Sequence, residues 1–353
     1  ANRQLIGLDL DQCKGVCHVP VDARSRDCGP WDASRIVFVR IPKTGSSSFV
    51  KIVKKQAIRK AFGVQELFEW VDAVPQEAAK MLTAKARAYA QAQYRQSMAS
   101  KVLFPVHPYN RTFSYGHFFQ LDWTNPNNTM SYEYPIMKLA PPVAKPLMRS
   151  FAERVLKLTA PDEEEVAKVL QISIVRKPAD RLESMYYYDR TMARTETWRK
   201  RFVSRYGNVS FEACLIDPKC VQANELRRWC SIQTQFFCGM SAECNHPLTD
   251  KSLAIAKRNL RESFYFVGLL ERLGDTLEVL SKLLPAYFEF APNDYRSSTD
   301  AHAPRRENVG IARGAVTSPR ALSKLEDVCR LDNQLYSEAK AAFEDRVSAC
   351  KLV

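Results

Sequence analysis

The chain has 353 residues, 46% of them hydrophobic and 26% charged, with 12 glycines, 19 prolines and a formal net charge of +13. That length allows one large α/β domain or two small ones, with chain enough for a real core. The composition excludes a disordered chain, a collagen-like repeat and a coiled coil. The charge points to an anionic partner and leaves nucleic acid, an acidic membrane surface and an anionic polysaccharide all open.

No apolar run approaches the ~20 residues needed to cross a bilayer, so the chain as given reads as soluble. The opening Ala1-Asn2-Arg3-Gln4 lacks the apolar core of a signal peptide, and any targeting or anchor segment is expected upstream of it. Residues 1–35 read as an irregular arm rich in Cys, Asp and Arg. The run Ile36-Val37-Phe38-Val39-Arg40-Ile41, stopped by Pro42, predicts a buried parallel strand. After it come Thr44-Gly45-Ser46-Ser47-Ser48, a turn rich in helix-capping residues. Phe49, Ile52, Val53 and Ala57 then recur at helical spacing to about Ala61.

Farther along, 76–100 predicts an Ala-rich helix, Phe113–Leu121 an aromatic strand, 125–145 a Pro- and Asn-rich loop, and 149–158 a short helix. Ile172-Ser173-Ile174-Val175-Arg176 predicts a second buried strand, with a helix from about Ala179 to Tyr188. Ser252–Ser263 reads as helix, Phe264–Leu269 as strand and Leu273–Leu284 as helix. Such alternation predicts an α/β fold, a mostly parallel sheet flanked by helices.

Ten cysteines are many for a cytosolic chain. Cys214 and Cys220 are six apart, as are Cys238 and Cys244, with Cys230 between the pairs. Cys13, Cys17 and Cys28 crowd the N-terminus, and Cys329 and Cys350 lie near the end. No Cys-x-x-Cys occurs and the five histidines do not cluster with the thiols, which argues against zinc. Three Asn-x-Ser/Thr sequons begin at Asn110, Asn127 and Asn208. Sequons together with close cysteine pairs point to an oxidising secretory lumen, where Cys238–Cys244 and Cys214–Cys220 are the expected disulfides.

Two segments carry chemistry. In Arg40-Ile41-Pro42-Lys43-Thr44-Gly45-Ser46-Ser47-Ser48-Phe49, backbone N–H groups at a strand-to-helix turn form an anion cradle. Hydroxyls at 44, 46, 47 and 48 and the Lys43 ammonium add to it. The order G-x-x-x-x-G-K-[ST] is absent, which disfavours an ATP-type loop. In the second segment Arg176 leaves the end of a strand and Ser184 lies two helical turns on, a pair suited to a second phosphate.

Together these segments resemble the 5′-phosphosulfate loop and the 3′-phosphate motif of sulfotransferases that use 3′-phosphoadenosine 5′-phosphosulfate (PAPS). Within that superfamily the chain is similar to the uronyl 2-O-sulfotransferases, Golgi enzymes acting on heparan sulfate or on dermatan/chondroitin sulfate. The resemblance spans 36 to about 345 and includes Phe236-Phe237-Cys238-Gly239…Cys244, Phe264-to-Glu271 and Leu284-Pro285-Ala286-Tyr287-Phe288. It implies a sulfotransferase domain over 36–350, with an insertion of unknown role at about 123–171. It also implies a P-loop-like central sheet.

The resemblance implies in-line sulfuryl transfer to a sugar hydroxyl without a metal, leaving 3′-phosphoadenosine 5′-phosphate (PAP). Donor contacts would come from Lys43, Thr44, Gly45, Ser46, Ser47, Ser48, Arg176, Ser184 and Ser298, and acceptor contacts from Arg40, Arg190, Arg296 and His302, with Arg305-Arg306 extending the patch. Lys43 would stabilise charge on the bridging oxygen and His117 would take the hydroxyl proton. The family carries two histidines two residues apart; Tyr115 stands here at the first position of that catalytic pair, where it would serve as a hydrogen-bond donor or stacking surface for the sugar. Lys177 replaces the Asp usual after the 3′-phosphate arginine. The implied setting is a type II protein of the Golgi lumen with a glycosaminoglycan acceptor, no nucleic-acid partner, and possible homo-oligomers. A glycan-binding pseudoenzyme and a sulfotransferase for another sugar remain the alternatives.

Overall fold

The computed structural model describes residues 28–33, 35–66, 111–116, 169–191, 209–217, 223–239, 242–244, 246–301 and 316–352. Strand β1 (Arg35–Val39) continues after Arg35 as four apolar, mostly β-branched residues, all buried, as an interior parallel strand requires. It leads through a tight loop into α1 (Ser46–Lys60), followed by β2 (Gly63–Glu66). With β3 (Thr112–Gly116), β4 (Val169–Val175) and β5 (Phe264–Leu269) these make a five-stranded sheet in the order β2-β3-β1-β4-β5. Every pairing is parallel, with Val39 beside Gly116 on one flank and beside Ser173 on the other. The α/β reading therefore holds. β4 begins at Val169, three residues earlier than the expected Ile172.

The chain moves from β1 toward β3 on one side and returns to β4 on the other. The carboxyl ends of β1 and β4 thus flank a topological switch point, where an open α/β sheet leaves a crevice. On one face the α1 stripe Phe49, Val50, Ile52 and Val53 is buried. Phe49 packs against Phe38 at 4.8 Å and against Phe288 of α8 (Pro285–Phe288) at 5.8 Å between ring centroids. Burying four such side chains contributes about 1.5–3 kcal/mol each.

The helices α2 (Pro178–Thr191), α3 (Phe211–Ile216), α4 (Ala223–Cys230) and α10 (Pro319–Val328) enclose a second apolar cluster around Leu182, Tyr186, Phe211 and Leu325. The helices α5 (Ile232–Cys238), α6 (Asp250–Glu262) and α11 (Arg330–Ala349) pack on one another, and α6 and α11 also pack on β5. The helices α7 (Leu273–Leu283) and α9 (Ala291–Ala301) pack side by side. Helix α6 starts at Asp250 because Thr249 and Ser252 form a reciprocal capping box. No helix among the described residues is long and apolar enough to cross a membrane.

Three disulfides are described. Cys238–Cys244 is the local pair expected from spacing, while Cys230–Cys329 and Cys28–Cys350 join positions 99 and 322 apart. Cys214 is disulfide-bonded, and Cys220 lies outside the described residues. The described part of the arm is tied down. Besides Cys28, the Trp31 N–H donates to the Leu283 carbonyl at 2.7 Å and Tyr287 Oη donates to the Ala33 carbonyl at 3.2 Å.

Candidate functional site at the carboxyl ends of β1 and β4

The loop after β1 is built to leave amides open. Lys43 and Gly45 both adopt left-handed backbone, at φ 67° and 73°, which turns the chain sharply into α1. A Cβ at Gly45 would run into the Leu270 side chain, so the position is closed to bulk as well. As the cap residue of α1, Gly45 has no side chain to satisfy the helix's first N–H groups. The first intrahelical bond runs from Phe49 N–H to the Gly45 carbonyl at 3.2 Å, which leaves the amides of Ser46, Ser47 and Ser48 ahead of it. That is a helix N-terminus presented to an anion.

The side chains refine the expected assignments. Thr44 is fully buried and its hydroxyl donates to the Ile41 carbonyl at 3.0 Å, so it ties the loop and has no proton left for a phosphate. Arg40 lies over the cradle: Nε donates to Ser46 Oγ at 3.2 Å and Nη2 to Ser47 Oγ at 2.9 Å. Both serine hydroxyls accept there and keep a proton to donate. The placement of Arg40 is thus at the serine loop, next to the anion cradle. Lys43 Nζ stands 3.9 Å from the centroid of the Tyr188 ring on α2, a cation–π contact.

Arg176 follows β4 directly and reaches back to the same loop, with Nη1 donating to the Lys43 carbonyl at 3.3 Å. The structure therefore brings the two motifs into contact across 133 residues of chain. Ser184 is on α2 and 4% exposed. The backbone N–H of Lys177 donates to Glu271 Oε1 at 2.7 Å, and that carboxylate also accepts from Tyr336 Oη at 3.1 Å. Sequence reasoning missed Glu271.

It also missed the buried layer beneath Arg176. Arg181 of α2 is fully buried. Burial pushes its guanidinium down to about 10, with the Arg176 charge adding to the depression and Asp332 opposing it. Its Nη2 donates to the Trp229 carbonyl, while Nε and Nη1 have no hydrogen-bond partner among the described residues. Asp332 of α11 is likewise fully buried. Burial raises its carboxyl, opposed by Arg181 and by hydrogen bonds from Thr234 and Gln233.

The expected acceptor residues are more scattered. Tyr115 is 2% exposed, paired with Phe38 in the sheet register, with Lys54 Nζ 5.7 Å from its ring centroid. Its ring belongs to the core and does not offer an open stacking face for a sugar. β3 ends at Gly116, whose carbonyl accepts from the Arg40 N–H at 2.9 Å. His117, His302, Arg305, Arg306 and the three sequon asparagines lie outside the described residues. Arg190 lies on α2 and Ser298 on α9, and their side chains are outside the described part. Arg296 on α9 pairs with Glu278 of α7 and donates to Asn293 Oδ1 at 2.6 Å, so its charge is compensated locally.

Comparison with known proteins finds similarity over half of the chain. The heparin sulfate O-sulfotransferase of Drosophila melanogaster is 32% identical over 181 residues, covering 50% of this chain and 49% of that protein. Heparan sulfate 2-O-sulfotransferase 1 of Mus musculus is 27% identical, and that of Xenopus laevis 29%, each over 180 residues. Half of this chain is similar to heparan sulfate sulfotransferases. The kinship supports the uronyl 2-O-sulfotransferase family that the loop and the Phe-Phe-Cys-Gly…Cys block resemble. The matched stretch spans only about half the length of these sulfotransferases. No family model matches the chain.

Proposed function

We propose that the protein transfers a sulfuryl group from PAPS to the 2-hydroxyl of a uronic acid in an anionic glycosaminoglycan, releasing PAP. The observation that carries this reading is the contact between Arg176 and the Lys43 carbonyl. It supports the reading because the start of α1, with the amides of Ser46, Ser47 and Ser48 ahead of its first intrahelical bond, lies against Arg176 and Lys43. The donor set fits an adenosine phosphosulfate: a glycine cap, serine hydroxyls with protons to give, and Arg176 reaching the Lys43 carbonyl beside them.

In this reading the amides and hydroxyls of Ser46, Ser47 and Ser48 bind the 5′-phosphate, and Arg176 with Ser184 binds the 3′-phosphate. When bound, PAPS supplies an activated sulfuryl group. Lys43 leaves the Tyr188 ring to stabilise negative charge on the bridging oxygen. His117 removes the acceptor hydroxyl proton, a task suited to imidazole near neutral pH. Arg190, Arg296 and His302 are proposed acceptor contacts, and Ser298 a donor contact. The formal charge of +13 suits a polyanionic acceptor. The disulfides suit an oxidising lumen, proposed to be that of the Golgi, with a membrane anchor upstream.

One observation favours a second reading. The residue at the family's first histidine position, Tyr115, is in the core, so a pseudoenzyme that binds glycan without turnover fits that detail. The same experiment separates the two. The protein is incubated with PAPS and defined heparan, dermatan and chondroitin oligosaccharides, and the sulfated position is assigned by NMR. Donor-dependent product at the uronate 2-O position supports transfer. Glycan binding with no product in any arm supports the pseudoenzyme.

A further inference from the structure

Arg176 sits between elements: β4 ends at Val175 and α2 begins at Pro178, so its peptide groups fall beyond the sheet ladder. A side chain from α5 takes them up. Gln233 Oε1 accepts from Arg176 N–H at 2.9 Å, and Gln233 Nε2 donates to the Arg176 carbonyl at 2.9 Å. One amide thus supplies both hydrogen bonds that a neighbouring strand would make. It fixes the backbone from which the Arg176 guanidinium reaches the Lys43 loop.

Gln233 is itself immobilised. It is 1% exposed, and its N–H donates to Asp332 Oδ2 at 3.1 Å. The next residue, Thr234, donates both its N–H and its hydroxyl to Asp332 Oδ1 at 2.7 Å each. Asp332 therefore caps the N-terminus of α5 from a different helix, since Ser231 makes no side-chain cap there. The Cys230–Cys329 disulfide closes the same junction, each sulfur three residues ahead of Gln233 or Asp332. The result is a relay from α11 through α5 to the residue after β4.

We infer that Gln233 is a positioning residue for Arg176, setting the affinity of the site for the 3′-phosphate of the donor through the Asp332–Gln233–Arg176 relay. The inference rests on the donor reading above. A side-chain amide presents an acceptor and a donor side by side, as the N–H and carbonyl of Arg176 require. Glutamate keeps the acceptor and loses the donor, and methionine loses both.

Calorimetry on the full chain tests it with two ligands that differ in the 3′-phosphate, PAP and adenosine 5′-phosphate, using wild type, Arg176→Ala, Gln233→Glu and Gln233→Met, with thermal melts alongside. Both Gln233 variants are expected to weaken PAP at least about tenfold, the scale of losing a charge-assisted bond. Binding of adenosine 5′-phosphate should be unchanged. Adding Gln233→Met to Arg176→Ala should cost no further PAP affinity, because the glutamine acts through the arginine. Unchanged PAP binding in folded Gln233 variants, or equal weakening of both ligands, overturns the proposal. So does failure of both variants to fold, which would make Gln233 a structural residue only. A wild type that binds PAP no better than adenosine 5′-phosphate overturns the donor reading itself, and the proposal with it.

Discussion

Replacing Asp332 with alanine removes the acceptor of three buried hydrogen bonds, from Gln233 N–H, Thr234 N–H and the Thr234 hydroxyl. Two backbone donors at the start of α5 would then be buried without partners, each at a cost of about 1–3 kcal/mol. The buried Arg181 would also lose the charge that opposes its depression. Two donors orphaned in this way take a large share of a whole-domain stability of about 5–15 kcal/mol. Asp332→Asn keeps an acceptor oxygen and loses the charge, so it should fall between wild type and alanine. Urea unfolding with the disulfides kept oxidised measures both variants. An Asp332→Ala protein within about 1 kcal/mol of wild type would refute the assignment of Asp332 as the cap of α5.

Two further outcomes are expected. Burial first, then the Arg228 charge, lowers His246 from its ordinary 6.5 to about 4, and its Nε2 meets Gln235 Oε1 at 3.1 Å. Between those values the unfolded chain binds the extra proton and the folded chain does not. The stability contribution is therefore present above pH 6.5 and lost as pH falls toward 4. His246→Gln should flatten that slope in melts taken across this range, and an unchanged slope would exclude His246 as its source. At the acceptor side, His117→Ala should lower kcat by about 10²–10⁴-fold, while Tyr115→Phe, a change inside the core, should cost much less turnover. Steady-state rates in the reverse order would move the base function to Tyr115.

Local patterns were legible where the physics is local. The apolar run of β1, the capping residues after it and the helical spacing of Phe49, Ile52 and Val53 located β1 and α1 within a residue or two. The six-residue Cys238–Cys244 spacing gave that disulfide. β4 was cut short because Gln171, a polar residue 1% exposed, interrupts its apolar run. Tyr115 shares the period-2 face of Phe113, so strand alternation marks it as core. The Thr44 hydroxyl looked like a ligand donor because nothing in sequence shows that the Ile41 carbonyl lies within its reach. Gln233 and Asp332 carried no signal at all, since polar residues 99 apart become partners only when α5 and α11 pack. The same holds for Cys28–Cys350, because spacing does not determine connectivity over such a separation.

The central claim is that Lys43 acts on the sulfuryl group of a donor held at the α1 N-terminus. The direct measurement is a single-turnover transfer of labelled sulfuryl from PAPS to a defined uronyl oligosaccharide, by wild type and by Lys43→Ala, with PAP affinity determined in parallel. The expected result is transfer to the uronate by wild type and a loss of about 10²-fold or more in Lys43→Ala, with PAP binding largely kept. A folded wild type that binds PAP and the oligosaccharide yet transfers nothing, or a Lys43→Ala protein that turns over at the wild-type rate, would contradict it.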